Sequence, residues 1–458
     1  MKVSNRNKTI IRHFKIIAFG FVLAVFFAIG CISALRPTTS VVEKRELTKR
    51  PSFKWTTFWN GDYTKDISTW YADTFPFRES MISTNQKIQK LYGTKGEQLV
   101  SGGEGYAVAD EIPEIDETEQ ARQRELIGAP TIGIRPNPFE ALINARAEER
   151  EFENLPDGTI TDKGEKLSSI YVTQDAGYEM FYFNQPGADA FANTINRIQS
   201  KVGNMVNIYV LIVPTSAGVM LDDSVIKDMG ASDQAKTLDY LYSKINHKVH
   251  TVNPLPELRG HNAEYVYFRT DHHWTQLGAY YGYRAFCKEK GITPIELSEY
   301  EKVSYPGFKG TFCQLVPSLG NKPDTVEGFI PIGTNNMKMV NDNDGGTYDW
   351  YLVNDVSGYA ETELYACYAG GDNSFSSAHN PNLYDGSSVM VIKDSFGNAL
   401  IPWLVDQYQD VYWMDVRYTS NTISQMVRDC NVQDVIICMS IFSGTTEGKL
   451  GQLTQVGQ

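Results

Sequence analysis

Three apolar runs leave this chain few folds to choose from: NIYVLIVPTS from Asn207, SSVMVI from Ser387 and DVIICMSI from Asp434. A strand with one wet face alternates apolar and polar residues, whereas a strand covered on both faces does not, so these runs point to a mainly parallel sheet under helices on both sides. The intervening segments agree. GADAFANTINRIQSKVG, TLDYLYSKIN, TQLGAYYGYRAFCKEKG and TISQMVRDC place apolar residues at helical spacing, the third with a glycine stop. AEYVYFRT and DVYWMDVR predict two further strands, and the Asn-, Asp-, Gly- and Tyr-rich stretch near 315–385 predicts loops or a small β excursion above the sheet. No internal repeat is visible.

The N-terminus predicts where this fold resides. Lys2, Arg6, Lys8, Arg12 and Lys15 precede an uncharged apolar run from Ile16 to Leu35, long enough to cross a bilayer as a helix. Basic residues ahead of such a run hold the N-terminus in the cytoplasm, so residues 1–15 form a cytoplasmic tail, 16–35 a transmembrane helix, and everything beyond Arg36 lies outside the cell membrane. A cleaved signal peptide is the alternative, and a lipid-modified Cys31 a weaker one. Residues 36–100 read as a juxtamembrane region packing on the domain, with a helix from about Asp66, and residues 101–165 as an acidic, proline-punctuated insertion or linker. The working domain then spans 166–458. A net charge of -13 argues against nucleic acid as the main partner. Cysteines at 31, 287, 313, 367, 430 and 438 have no CxxC spacing, which gives no disulfide framework and no zinc site.

In a parallel sheet the carboxyl ends of the strands converge on one edge, where ligands bind. Two polar turns are expected there, RTDHHW at 269–274 and KDSFGN at 393–398. A serine on the second turn, Ser395, is a poor nucleophile unless a base takes its proton and an acid orients that base. Asp271 and His273 stand two residues apart, which in an extended segment puts them on one side and turns His272 away. The bland alternatives stay open: Ser395 as a helix N-cap, the DHHW segment as a cap for the helix after it, or a metal site at the adjacent histidines, for which no HExxH or further clustered ligand speaks. Arg417 either contacts a substrate or pairs with Asp415. Abundant aromatics, including Trp274, Trp403 and Trp413, suit sugar stacking or simply the core.

YFRTDHHWT together with VIKDSFGNALIPWL resembles the DHHW family of bacterial surface proteins, related to the SGNH hydrolase-like domains of periplasmic alginate O-acetyltransferases. The likeness extends to EKRELTKRPSF, GDYTKDISTWYADTFPFRE, VLIVPTSAGVM, FKGTF and DVRY. It implies a three-layer α/β/α SGNH-like domain in which Ser395 is the nucleophile, His273 the general base and Asp271 its orienting acid. Lys393 stands where the wider superfamily carries the glycine of a GDS block. The oxyanion or substrate candidates are the backbone of Ser395, Gly310, Asn373, Arg417, His272 and Trp274. The activity implied is O-acetylation of a cell-surface or exported polysaccharide, with the acyl group delivered by a polytopic membrane-bound O-acyltransferase and with neither metal nor organic cofactor. A carbohydrate esterase and a non-catalytic polysaccharide-binding or assembly module are the alternatives on the same fold.

Overall fold

The apolar runs at 207, 388 and 434 lie side by side in the middle of an eight-stranded sheet in the computed structural model. The structure describes residues 175–340, 346–445 and 447–458, with 109–115, 158–161, 164–167, 169–173 and scattered positions between 36 and 76. The chain divides into two units, 1–97 and 98–458. In the first, Arg36 lies 4.1 Å over the Trp70 ring and its guanidinium donates to Thr74 Oγ1 at 2.6 Å.

In the second unit the sheet strands are β1 (Asn207–Val213), β2 (His250–Val252), β3 (Asn336–Val340), β4 (Thr347–Tyr351), β5 (Ser376–His379), β6 (Ser388–Lys393), β7 (Asp410–Asp415) and β8 (Asp434–Ser440). Their spatial order is β4-β3-β5-β7-β6-β8-β1-β2. From β7 to β2 every pairing is parallel. Every residue of β1, β6 and β8 is buried, as their unbroken apolar character requires. Helix α1 (Gln185–Val202) starts where Asn184 accepts from Gly187 N, and packs with α2 (Gln234–Ser243), α5 (Ile423–Asp429) and the helices at the C-terminus. Helix α3 (Gln276–Lys290) is capped by Thr275, stops at Gly291 in the left-handed region, and packs against α4 (Gly397–Leu404).

Several expectations need correcting. The stretch near 315–385 is divided: Asp324–Ile330 pairs with Glu301–Phe308 in a small separate sheet, as expected of a β excursion, whereas β3, β4 and β5 extend the main sheet through antiparallel pairings beyond β7. AEYVYFRT forms no strand of that sheet. Its chain folds back on the DHHW turn instead, with Phe268 N donating to His273 O, Thr275 N to Val266 O, and one isolated bridge between Tyr267 and Trp274. Val266 and Phe268 are buried by this local return, so tertiary packing overrides their strand preference. Trp274, Trp403 and Trp413 are each 0% exposed, which makes them core and removes them as sugar platforms. The apolar run 16–35, most of the acidic stretch 101–165 and most of the helix expected from Asp66 lie outside the described residues. Among the described residues no helix is long and apolar enough to cross a membrane.

Candidate active site

Strand β6 ends at Lys393, and Asp394 turns the chain into α4. Its Oδ1 accepts from Phe396 N at 3.0 Å, while Oδ2 accepts from Ser440 N and the Ser443 hydroxyl at the end of β8. One carboxylate thereby ties the turn of one central strand to the end of its neighbour. Ser395 sits at the top of this turn. Its Oγ is 2.7 Å from His273 Nε2, and His273 Nδ1 is 2.6 Å from Asp271 Oδ1.

The second turn is held from below. Asp324, fully buried, accepts Thr270 N and the Thr270 hydroxyl on Oδ2, and Arg269 Nε with the Tyr265 hydroxyl on Oδ1. Asp271 is equally buried, and its second oxygen accepts Thr311 N at 2.8 Å and the Thr311 hydroxyl at 3.1 Å. A carboxylate with that many donors is fixed in position and orientation, which is what an acid partner of an imidazole needs. Gly310 explains the FKGTF turn. A Cβ there would come within 2.3 Å of Asp271 Cβ, so only glycine lets this loop close over the acid.

His273 is gripped through its ring as well. Tyr365 stacks on it at 4.0 Å between centroids and 15° between planes, and the same phenol donates to Ser395 O at 3.0 Å. Burial foremost, then the neighbouring Tyr368, Asp271, Asp372 and Asp394, push the Tyr365 hydroxyl well above its ordinary range, so it stays a donor. One side chain therefore registers the imidazole against the serine backbone. Nothing in the residue pattern singles out Tyr365, which lies in the loop-rich stretch among many tyrosines.

Behind Ser395 runs a largely buried ionic group, in which Arg417 makes the expected pair with Asp415. Lys393 Nζ is 2.9 Å from Asp415 and both side chains are wholly buried. Arg417 grips Asp415 through two bonds, at 2.8 and 2.6 Å, and reaches Asp372 at 2.9 Å. Burial works to raise the Asp372 carboxyl, yet Arg417, then Lys393, the Asn398 amide and His273 hold it well below the usual carboxylate range. The Lys393 charge is thus compensated by Asp415: a desolvated charge of this kind is tolerated only with its partner present.

The remaining candidates are placed as follows. His272 does not turn away: residues 270–273 form a turn instead of an extended segment, and its ring lies 3.9 Å from that of His273, with Nδ1 on the Thr311 hydroxyl at 2.9 Å. Trp274 donates from Nε1 to Phe396 O, a buried strut between the two turns. The Gly310 backbone amide donates across to Thr270 Oγ1 in the other turn, and the Asn373 side-chain amide donates to the carbonyls of Gly370 and Gly371 in its own loop, so both are engaged. Asp271, His272 and His273 hold ligand atoms within 4.8 Å of one another and could close on one cation, but only by displacing the bonds to Thr311 and Ser395. Five cysteines, 287, 313, 367, 430 and 438, are free thiols. Chemically, the arrangement can withdraw a proton from the Ser395 hydroxyl through an imidazole whose far nitrogen is held by a carboxylate.

A family model described as DHHW protein matches residues 43–128 and 144–414, well over half the chain. Among solved structures, a DHHW family protein from Eubacterium siraeum is similar over 62% of this chain and 93% of its own, at 27% identity and a TM-score of 0.55. Bacillus cereus PatB1, solved with a sulfonyl adduct, is similar over 61% of this chain and 96% of its own, at 18% identity and a TM-score of 0.51, a likeness of fold. A comparison with curated proteins gives no match.

Proposed function

This chain belongs to the DHHW family, and from that premise we propose that it is a membrane-anchored, extracytoplasmic O-acyltransferase of SGNH type that acetylates a cell-surface or exported polysaccharide. The observation that carries the reading is the pair of contacts at His273, 2.7 Å to Ser395 Oγ and 2.6 Å to Asp271 Oδ1. Ser395 Oγ attacks the donor's acyl carbon as His273 Nε2 takes the hydroxyl proton. The bond to the donor oxygen or sulfur breaks, and the departing group receives that proton. An acyl ester on Ser395 remains. A sugar hydroxyl then attacks this ester while His273 again takes the proton, and the proton returns to Ser395 Oγ as the acylated sugar leaves.

Stabilising the charge on the acyl oxygen falls to backbone donors at the turn, with the Ser395 amide at the start of α4 the first choice, since the Gly310 and Asn373 amides are engaged elsewhere. No metal or organic cofactor enters these steps. The basic-then-apolar N-terminus supports an anchor with the domain 166–458 outside the membrane, and a polytopic membrane-bound O-acyltransferase is the donor partner this placement calls for.

The test is acetyl transfer from 4-nitrophenyl acetate to oligosaccharide acceptors, followed by mass spectrometry of the acceptor. The expected result is an acetylated product with the wild type and a loss of at least about 1000-fold in rate with Ser395→Ala. Equal rates for the two proteins would rule the reading out.

A further inference from the structure

A groove of about 630 Å³ opens beside the active-site loops, between the strand Glu301–Phe308 and the loop that leads into Tyr365. Tyr305, Pro306, Asp355, Ser357, Tyr359 and Glu361 line it. Both of its walls run directly into the site. From Phe308 the chain passes through Lys309 and Gly310 to Thr311, which binds Asp271 and His272. On the other wall Leu364, also lining the groove, is followed by Tyr365, the residue stacked on His273. The two walls are joined at this end by Lys309 N donating to Glu361 O and by the Lys309–Glu361 ion pair at 2.7 Å.

We propose that this groove is the subsite for the acceptor, a glycan chain that carries no anionic groups. The inference rests on the acyl-transfer reading for its purpose, since a polymer acceptor extends past the one residue being modified. Its chemistry comes from the lining. Tyr359 is 38% exposed, and its hydroxyl is fixed by Asn354 Nδ2 at 3.1 Å, which leaves an oriented aromatic surface of the kind that packs on sugar rings. Asp355 and Glu361 are exposed acceptors suited to sugar hydroxyls. Lys309 at this rim is already paired with Glu361, so a uronate or sulfate chain would meet like charge at Asp355.

The test is direct binding to the full chain carrying Ser395→Ala, which separates the groove from any failure of catalysis. The probes are oligomers of a neutral glucan, of chitosan and of galacturonate, titrated by calorimetry. The neutral or amino-bearing oligomers are expected to bind, with at least a tenfold loss on adding Tyr359→Ala and less than a threefold loss with Tyr359→Phe. Galacturonate is expected to bind at least tenfold more weakly than the neutral oligomer, with that gap narrowing when Asp355→Asn is added. Thermal melting of each variant checks folding. Binding of no probe, binding insensitive to Tyr359→Ala in a folded protein, or equal binding of galacturonate would overturn the proposal. Such a result would leave the acetyl-transfer assay of Ser395 to stand or fall by itself.

Discussion

Tyr365 makes the geometry at His273 more than a pair of hydrogen bonds, because it fixes the plane of the ring that those bonds alone would leave free to tilt. Two substitutions separate its contributions. Tyr365→Phe keeps the stacked face and loses the bond to the Ser395 carbonyl, and a fall of about 2- to 10-fold in kcat is expected, since one neutral hydrogen bond is worth about 0.5–1.5 kcal/mol. Tyr365→Leu also removes the face and is expected to cost at least tenfold more than Phe, mainly in kcat. Equal kcat for the two variants would show that stacking contributes nothing. At Asp271 the prediction is sharper. Asp271→Asn preserves the shape but reverses the hydrogen-bonding sense toward His273 Nδ1, and a drop of about 10³- to 10⁴-fold in acetyl transfer is expected. A drop under tenfold would show that Asp271 does not orient the imidazole for catalysis.

At the level of elements, Gly310→Ala tests how the loop closes over the acid. Its Cβ would clash with the Asp271 Cβ and the Thr270 carbonyl oxygen at 2.3 and 2.5 Å, and overpacking of this kind costs about 1–3 kcal/mol. The expected readout is a lower urea midpoint together with lost activity; wild-type values for both would mean that the loop closes differently. The central parallel strands and the helices beside them were legible in the sequence because burial on both faces writes an unbroken apolar run, as in Val389–Ile392, and an amphipathic helix writes its own period. The placement of AEYVYFRT was not, since Val266 and Phe268 look the same whether a sheet or a folded-back turn buries them. Nor was the joining of β3, β4 and β5 to the main sheet, because β4 alternates poorly and is largely exposed. The pairing of Asp271 with His273 was readable from spacing, although the turn that produces it is not the extended segment that the spacing suggests. Tyr365 and Asp372 left no readable trace, and Thr311 was visible only as part of FKGTF, without its partner: a loop residue's partner is set by the folded path of another loop.

Across the whole molecule, two carboxyls, the buried Asp406 and the partly exposed Asp372, pull stability in opposite pH directions. Burial first of all lifts Asp406 to about 6, against the amides of Gly333 and Ile332 and the Tyr300 hydroxyl, which lower it. A carboxyl raised on folding contributes stability that is complete below its unfolded value, near 3.8, and is lost as pH climbs through about 6. Asp372, held low by Arg417 and Lys393, contributes stability at neutral pH that is lost only as the medium becomes more acid than its unfolded value, near 3.8. Urea unfolding at pH 5 and pH 7 is therefore expected to differ more for the wild type than for Asp406→Asn, by about 1 kcal/mol with the wild type favoured at pH 5, and the same pH difference in both proteins would contradict the assignment. The central claim, that the fold brings the DHHW turn and the serine turn together so that His273 activates Ser395, has a more direct test. Treat the full chain with phenylmethanesulfonyl fluoride and map the modified residue by tandem mass spectrometry, in wild type and in His273→Ala. The account predicts one fast adduct, on Ser395, that is lost or slowed at least 100-fold in the variant; an adduct on another residue, or one formed equally fast without the imidazole, would contradict it.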